Sequence, residues 1–436
     1  MKFFPFSAAA VLLALAATAS AQDRTLAFTR AKIIPINGPE IDDGVLLVRD
    51  GKIVAVGAWG ELDVPEDAVV HDFIGHTIMP GLVDTHNHIG GIGGGDGSHP
   101  TQPDVRIYDS LNCRSSGFRR ARAGGLTTLN IMPGSGHLLS GQTVYVKTRR
   151  AETLDDMFIL DKDRNPCGGM KMANGTNSLR DPPFPGTRGK SAAIVRQMFI
   201  DAKAYGEKMN RFKDDPEKRP ARDIGKDALL EVLSGKRVVH HHTHRHDDIM
   251  TVLRLKEEFG FRVVLHHVSE GWMVADEIAK AEVPCSIIIV DSPGGKLEAK
   301  NLVFKTGAVL EEAGVKVAYH TDDWITDSRH FLRCAALGVR AGMSREGALR
   351  SLTLAGAEML DLQDRIGSLE PGKDADFIVI TNDPLSVYAK VRQTWIEGQL
   401  VFDREREDDR LYATGGYGAG EDVDPYLCCH PAGGHE

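Results

Sequence analysis

The sequence predicts an α/β protein, a (β/α)8 TIM-like barrel with a small β-sandwich domain formed from both chain ends. Two patterns carry that expectation. Short apolar strands alternate with helical stretches over residues 77–365, and such alternation builds a parallel sheet covered by helices. A closed barrel is the commonest solution at that length, although an open doubly wound sheet shares the same alternation. The second pattern is a pair of β-rich regions, residues 22–76 and 366–403, that enclose the alternating region in sequence.

The elements follow in chain order. Met1-Lys2 gives a positive start, Ala8–Leu15 is apolar, and Ala19-Ser20-Ala21 supplies small residues before Gln22. Residues 1–21 therefore read as a secretory signal peptide, with an apolar run too short to span a bilayer. A periplasmic or secreted location is expected, without membrane attachment once the signal is removed. In residues 24–75, Ala31–Pro35 and Gly44–Arg49 are β-rich, and Asp50-Gly51 between Val48 and Ile53 is a two-residue hairpin signal. The same grammar returns at Ala375–Ile380 and Val391–Ile396, with a turn at Glu397-Gly398 before Leu400–Phe402. Between these regions, apolar strands are expected at Thr77–Asp84, Thr127–Met132, Thr143–Lys147, Arg237–His240, Arg262–His266, Pro284–Val290 and Val315–His320. Ser191–Glu207 and Ile249–Phe259 carry apolar residues at helical spacing. Gly90–Gly97 reads as a flexible loop. Residues 404–436 are charged, then rich in glycine, and read as a loosely packed or disordered tail.

Charge and cysteine content narrow the function. A formal net charge of -9 without a long basic run argues against nucleic acid or an anionic membrane as partner. The six cysteines (Cys113, Cys167, Cys285, Cys334, Cys428 and Cys429) have no framework spacing. Only the adjacent Cys428 and Cys429 suggest oxidation.

The 17 histidines carry most of the chemistry. His86, His88, His242, His267 and the carboxylate Asp322 each lie just beyond an apolar strand. In a parallel barrel those strand ends share one face, so residues far apart in sequence converge. Imidazoles and a carboxylate so gathered suit a divalent metal such as zinc. His86 and His88 are two apart, so both point to one side of their strand. Within His240–His246 the ligand is His242 or His244, with His242 preferred. Arg245 offers a bidentate fork for a substrate carboxylate or, equally, a surface ion pair. His320 shares a strand side with Asp322 and would touch substrate or support the ligands.

Two segments add a family resemblance. Met79–His88 matches the pattern PGxxDxHxH, and Gly367–Asp376 matches GxxxxGKxAD. Over residues 24–403 the chain resembles the amidohydrolase superfamily, in its imidazolonepropionase-like branch, which includes metal-dependent dipeptidases. The resemblance implies the barrel and the two-ended sandwich. It implies one or two zinc ions held by His86 and His88 from the first strand, His242 and His267 from the fifth and sixth, and Asp322 from the eighth. It gives Asp322 a second role as proton carrier. It implies a carboxylated lysine bridging two metals: Lys171 fits that place, and Lys147 is a rival on an earlier strand. The implied activity is hydrolysis of a C–N bond (amide, peptide or cyclic amide) in a small substrate such as a dipeptide. Deamination or ester hydrolysis is the alternative within the superfamily. A non-catalytic metal-binding protein is the alternative outside enzymes, and a homo-oligomer is compatible with either.

Overall fold

The computed structural model describes residues 24–90, 96–289, 296–323 and 325–420. The expected signal peptide, most of the glycine-rich loop and Cys428-Cys429 lie outside the described residues. Cys113, Cys167, Cys285 and Cys334 are free thiols.

Both chain ends join in one sheet. Leu26–Ile33, Ile41–Arg49, Lys52–Ala58, Val69–Asp72 and His76–Pro80 hydrogen-bond with Phe377–Thr381, Val391–Ile396 and Gln399–Asp403 in an eight-stranded array. The seam is antiparallel and sets Met79 opposite Ile378. Both expected hairpins are present. Asp50 and Gly51 have φ of 51° and 72°, and Glu397 and Gly398 have 49° and 69°. Two successive positive φ values are the type I′ geometry whose twist suits adjoining strands.

The expected sandwich takes the form of one bent sheet. Phe28 lies three strands from Trp395 along the hydrogen-bonded path, about 14 Å if the sheet were flat. Their ring centroids are 4.9 Å apart. The sheet therefore curls over an aromatic core in which Phe377 also stacks on Trp395.

The centre of the chain is TIM-barrel-like. Met170–Ala173, Val239–Thr243, Val263–His267, Cys285–Ile287 and Val317–Tyr319 run parallel in sequence order. Leu82–Asn87 and Leu126–Ile131 form a second parallel pair. The Asp322 N–H donates to the His86 carbonyl at 3.0 Å, joining the last strand's end to the first.

One expected parallel strand is reversed. Leu139–Gln142 pairs antiparallel with Met170–Ala173, and Val144–Lys147 pairs antiparallel with Leu126–Ile131. Residues 132–138 are too few to return the chain to the barrel's lower end, because a parallel connection needs a dozen residues or more. The chain therefore turns and descends, which carries Lys147 to the lower end beside Thr128.

The expected tail is also partly ordered. Glu407–Thr414 is helical. Acidic Glu407, Asp408 and Asp409 occupy its first turn, where the helix dipole favours negative charge. Asp409 pairs with Arg150 at 2.7 Å, and Arg119 donates to the Tyr412 hydroxyl at 3.1 Å. These are tertiary contacts, which local periodicity does not encode.

Candidate metal centre

Six residues expected at the site do meet at the upper strand ends. The Nε2 atoms of His86 and His88 are 3.2 Å apart. Asp322 Oδ1 is 3.0 Å from His88 Nε2 and 3.5 Å from His86 Nε2. Lys171 Nζ is 3.2 Å from His86 Nε2. The His242 and His267 rings lie 4.4 Å apart, and His267 is 4.7 Å from His86.

Local backbone geometry makes this convergence. Consecutive strand residues normally point to opposite faces, yet His266 and His267 both contact His86. His267 has a φ of 70°, and that left-handed turn redirects its side chain inward. Asp322 has a φ of 50°. Two non-glycine residues in this sparsely populated region, both at the site, are strain held by the surrounding structure.

The cluster has the donor pattern of a metal site. His88 Nδ1 lies 2.8 Å from the Met132 carbonyl oxygen, and its Nε2 faces His86 and Asp322. His242 Nδ1, His244 Nε2 and His267 Nε2 are buried without hydrogen-bond partners. Buried polar atoms are nearly always satisfied, so three orphaned ring nitrogens call for a ligand. The residues present therefore fit a divalent metal: His86, His88 and Asp322 form one potential ligand group, and His242 and His267 supply further lone pairs.

Electrostatics follow burial. Burial, with the Lys171 charge next, holds His86 well below the usual imidazole range. Burial opposes ionisation of Asp322, but the hydrogen bond and charge of His88 bring its pKa down to about 2. Lys171 is fully buried, and burial lowers its pKa to about 7 despite the charge of Asp322.

The structure separates three alternatives that the sequence left open. Lys147, the rival bridge, lies at the other end of the barrel, where it pairs with Asp374 at 2.6 Å and with Asp376 and Glu397 at 3.0 Å. The reversed strand puts it there. Arg245 does not enter the cluster, because its fork is filled by Asp247 at 2.9 and 2.8 Å. His320 is buried within the ligand set: Nδ1 is 2.7 Å from Ser286 Oγ and Nε2 is 3.1 Å from His267 Nδ1. It is fully buried, and with His86 and His267 it forms a further potential ligand group.

Other members join the cluster. His244, the alternative to His242 in the sequence, and Glu298, which sequence reasoning missed, form another potential ligand group with His242. Lys296 Nζ stands beside it, 3.3 Å from Glu298 Oε1 and 3.4 Å from His242 Nε2. Glu298 follows no strand and gave no signal. Asp84 did give one, as the aspartate of PGxxDxHxH. It accepts from Asn87 at 2.7 Å, from the Thr321 hydroxyl at 2.5 Å and from the His86 N–H at 3.2 Å. It thus ties the first strand to the residue before Asp322, and burial raises its own pKa to about 6.

The chain shares its fold and sequence with known proteins. An amidohydrolase from Thermotoga maritima is 32% identical, with a TM-score of 0.80 over 87% of this chain and 100% of that one. The chain belongs to the amidohydrolase superfamily. The sequence model described as "Amidohydrolase family" matches residues 221–402. The imidazolonepropionase of Alkaliphilus metalliredigens is 25% identical over 84% of this chain and 92% of its own length, and this amidohydrolase is an imidazolonepropionase-like member. The amidohydrolase tasK of Hapsidospora irregularis is 28% identical over 83% of this chain. The chain spans 40% of that relative's length.

Proposed function

We propose that this amidohydrolase is a metal-dependent enzyme that hydrolyses a C–N bond (amide, peptide or cyclic amide) in a small substrate. The reading includes export to the periplasm or medium, supported by residues 1–21. The observation that carries the activity is Asp322, an ionised carboxylate against both histidines of the His86/His88 pair. Binding a metal alone does not call for such a proton acceptor.

His86, His88 and Asp322 would hold one zinc ion, and His242 and His267 a second; Lys171, with Nζ 3.2 Å from His86 Nε2, would be the bridging lysine if carboxylated. A divalent metal supplies water activated near neutral pH and a polarised scissile carbonyl. Asp322 orients the attacking water by accepting its hydrogen bond, takes its proton and returns it to the departing nitrogen. Lys171, with a pKa near 7, is substantially uncharged at neutral pH. A neutral amine can add to carbon dioxide and lose one proton, and such a carbamate would offer two oxygens that share one negative charge as metal ligands.

The test is metal analysis of the purified protein, followed by a screen of dipeptides and cyclic amides on wild type and Asp322→Asn. The expected result is bound zinc in wild type and a turnover loss of ~10²–10⁴-fold in the variant, the usual scale for a positioned acid–base group. Metal-loaded Asp322→Asn with unchanged turnover would sink the mechanism.

A further inference from the structure

The barrel interior is unusual in what fills it. Layers of bulky aliphatic side chains are the norm there, yet His86, His240, His266, His320 and Lys171 are all without solvent exposure. Buried imidazoles are costly unless their nitrogens are hydrogen-bonded. Three of these rings satisfy one another in a continuous line. His86 Nδ1 is 3.2 Å from His266 Nδ1. His266 Nε2 is 3.0 Å from His240 Nδ1. His240 Nε2 is 2.9 Å from the Tyr145 hydroxyl.

We infer that His266, His240 and Tyr145 are positioning residues that fix the ring orientation and tautomer of the ligand His86, through a chain leading to the opposite face of the barrel. This rests on the metal centre proposed above. Nε2 of His86 faces His88 and Asp322, so a metal there takes the Nε2 lone pair and the ring proton stays on Nδ1. His86 Nδ1–H then donates to His266 Nδ1. A neutral His266 must carry its proton on Nε2 and donate to His240 Nδ1. By the same step His240 donates Nε2–H to the Tyr145 oxygen. Every link has one donor and one acceptor, and the direction is set by the metal end.

Tyr145 lines a cavity of about 800 Å³ with Gln142, Cys167, Arg237 and Asp361. Tyr145 lies on the antiparallel strand, where it pairs with Asn130. A second, shorter line has the same form. His267 Nδ1 meets His320 Nε2, His320 Nδ1 meets Ser286 Oγ at 2.7 Å, and Ser286 meets Thr85 Oγ1 at 2.5 Å. Two ligand histidines thus each head an interior chain. Outer partners of a ligating imidazole fix its tautomer and raise its basicity.

The test uses the full-length protein loaded with zinc. Nitrogen-15 spectra of histidine-labelled protein should show both His240 and His266 protonated on Nε2. Zinc affinity, measured by chelator competition, should fall ~10–100-fold in His266→Phe, the scale for a direct outer partner. Tyr145→Phe removes only the terminal oxygen, so it should weaken zinc less than the His266 variant and mix the His240 tautomers. Protein that binds zinc while His266 or His240 is protonated on Nδ1 would overturn the chain and leave the metal centre standing. Unchanged affinity in a folded His266→Phe would do the same. If His266→Phe does not fold, the wild-type spectrum decides alone. Wild type that binds no zinc removes the metal centre, and the inference with it.

Discussion

Lys147 and Lys171 sit on strands of the TIM-barrel-like centre, and neither side chain is exposed. Their surroundings are opposite. Burial pulls Lys147 down, but Asp376, Asp374 and Glu397 outweigh it and leave its pKa raised. Burial pulls Lys171 down to about 7, and the more distant Asp322 compensates only in part. One lysine is thus a permanent cation and the other a latent amine. The lower lysine joins the barrel to the chain-end sheet, since Asp374 and Asp376 belong to the GxxxxGKxAD segment and Glu397 to the second hairpin. Arg149 and Lys52 extend this network, meeting Glu397 at 2.7 Å and Asp374 at 2.5 Å. Burial alone decides neither role; the decisive variable is how many carboxylates reach the ammonium.

The largest expected effect separates the two lysines by stability. Lys147→Met should cost ~3–5 kcal/mol in urea unfolding, because it strands buried carboxylates without their cation. Lys171→Met in metal-stripped protein should cost less than ~1 kcal/mol or stabilise slightly, since it removes a buried amine that has no carboxylate in hydrogen-bond contact among the described residues. Equal losses would erase the distinction.

A pH series sharpens it. Asp374 and Glu397 have pKa values of about 2, below their ordinary 3.8 and 4.5, because Lys147 and Arg149 overcome the burial that would raise them. Groups with depressed folded pKa values bind fewer protons folded than unfolded. Their contribution is therefore full above about pH 4.5 and is lost as pH falls toward 2. Asp376, whose pKa burial raises, offsets part of this. Thermal midpoints of metal-stripped protein should fall across that window, and Lys147→Met should flatten the slope. A variant with the wild-type slope would remove Lys147 as its cause.

The smallest effect is expected at Arg245. Its pair with Asp247 joins side chains 40% and 44% exposed, and such pairs contribute less than ~1 kcal/mol. Arg245→Ala should leave KM for the substrate unchanged, and a tenfold rise would restore it as a substrate contact.

How much of this was legible depends on the range of the interactions involved. Asp50-Gly51 and Glu397-Gly398 announced their hairpins, because turn geometry is local. His86 and His88 announced a ligand pair through their spacing and motif. His242, His267 and Asp322 were legible as residues just past apolar strands. The descending strand was harder to read: its apolar pattern is visible, but its direction depends on how far a short connection can reach. The helix Glu407–Thr414 gave no periodic signal, since its partners Arg150 and Arg119 are remote in sequence.

The sequence by itself determined the strand-and-helix alternation, the type I′ turns, the family motifs and the residues able to bind a metal, all carried by residue type and short spacing. Only the tertiary structure decided which histidines gather into potential ligand groups and which ring nitrogens face one another. Only it separated a lysine at the metal centre from a lysine at the barrel floor. The physical reason is that protonation, tautomer and lone-pair direction depend on groups brought within about 3 Å by folding, and no local pattern records which groups those are.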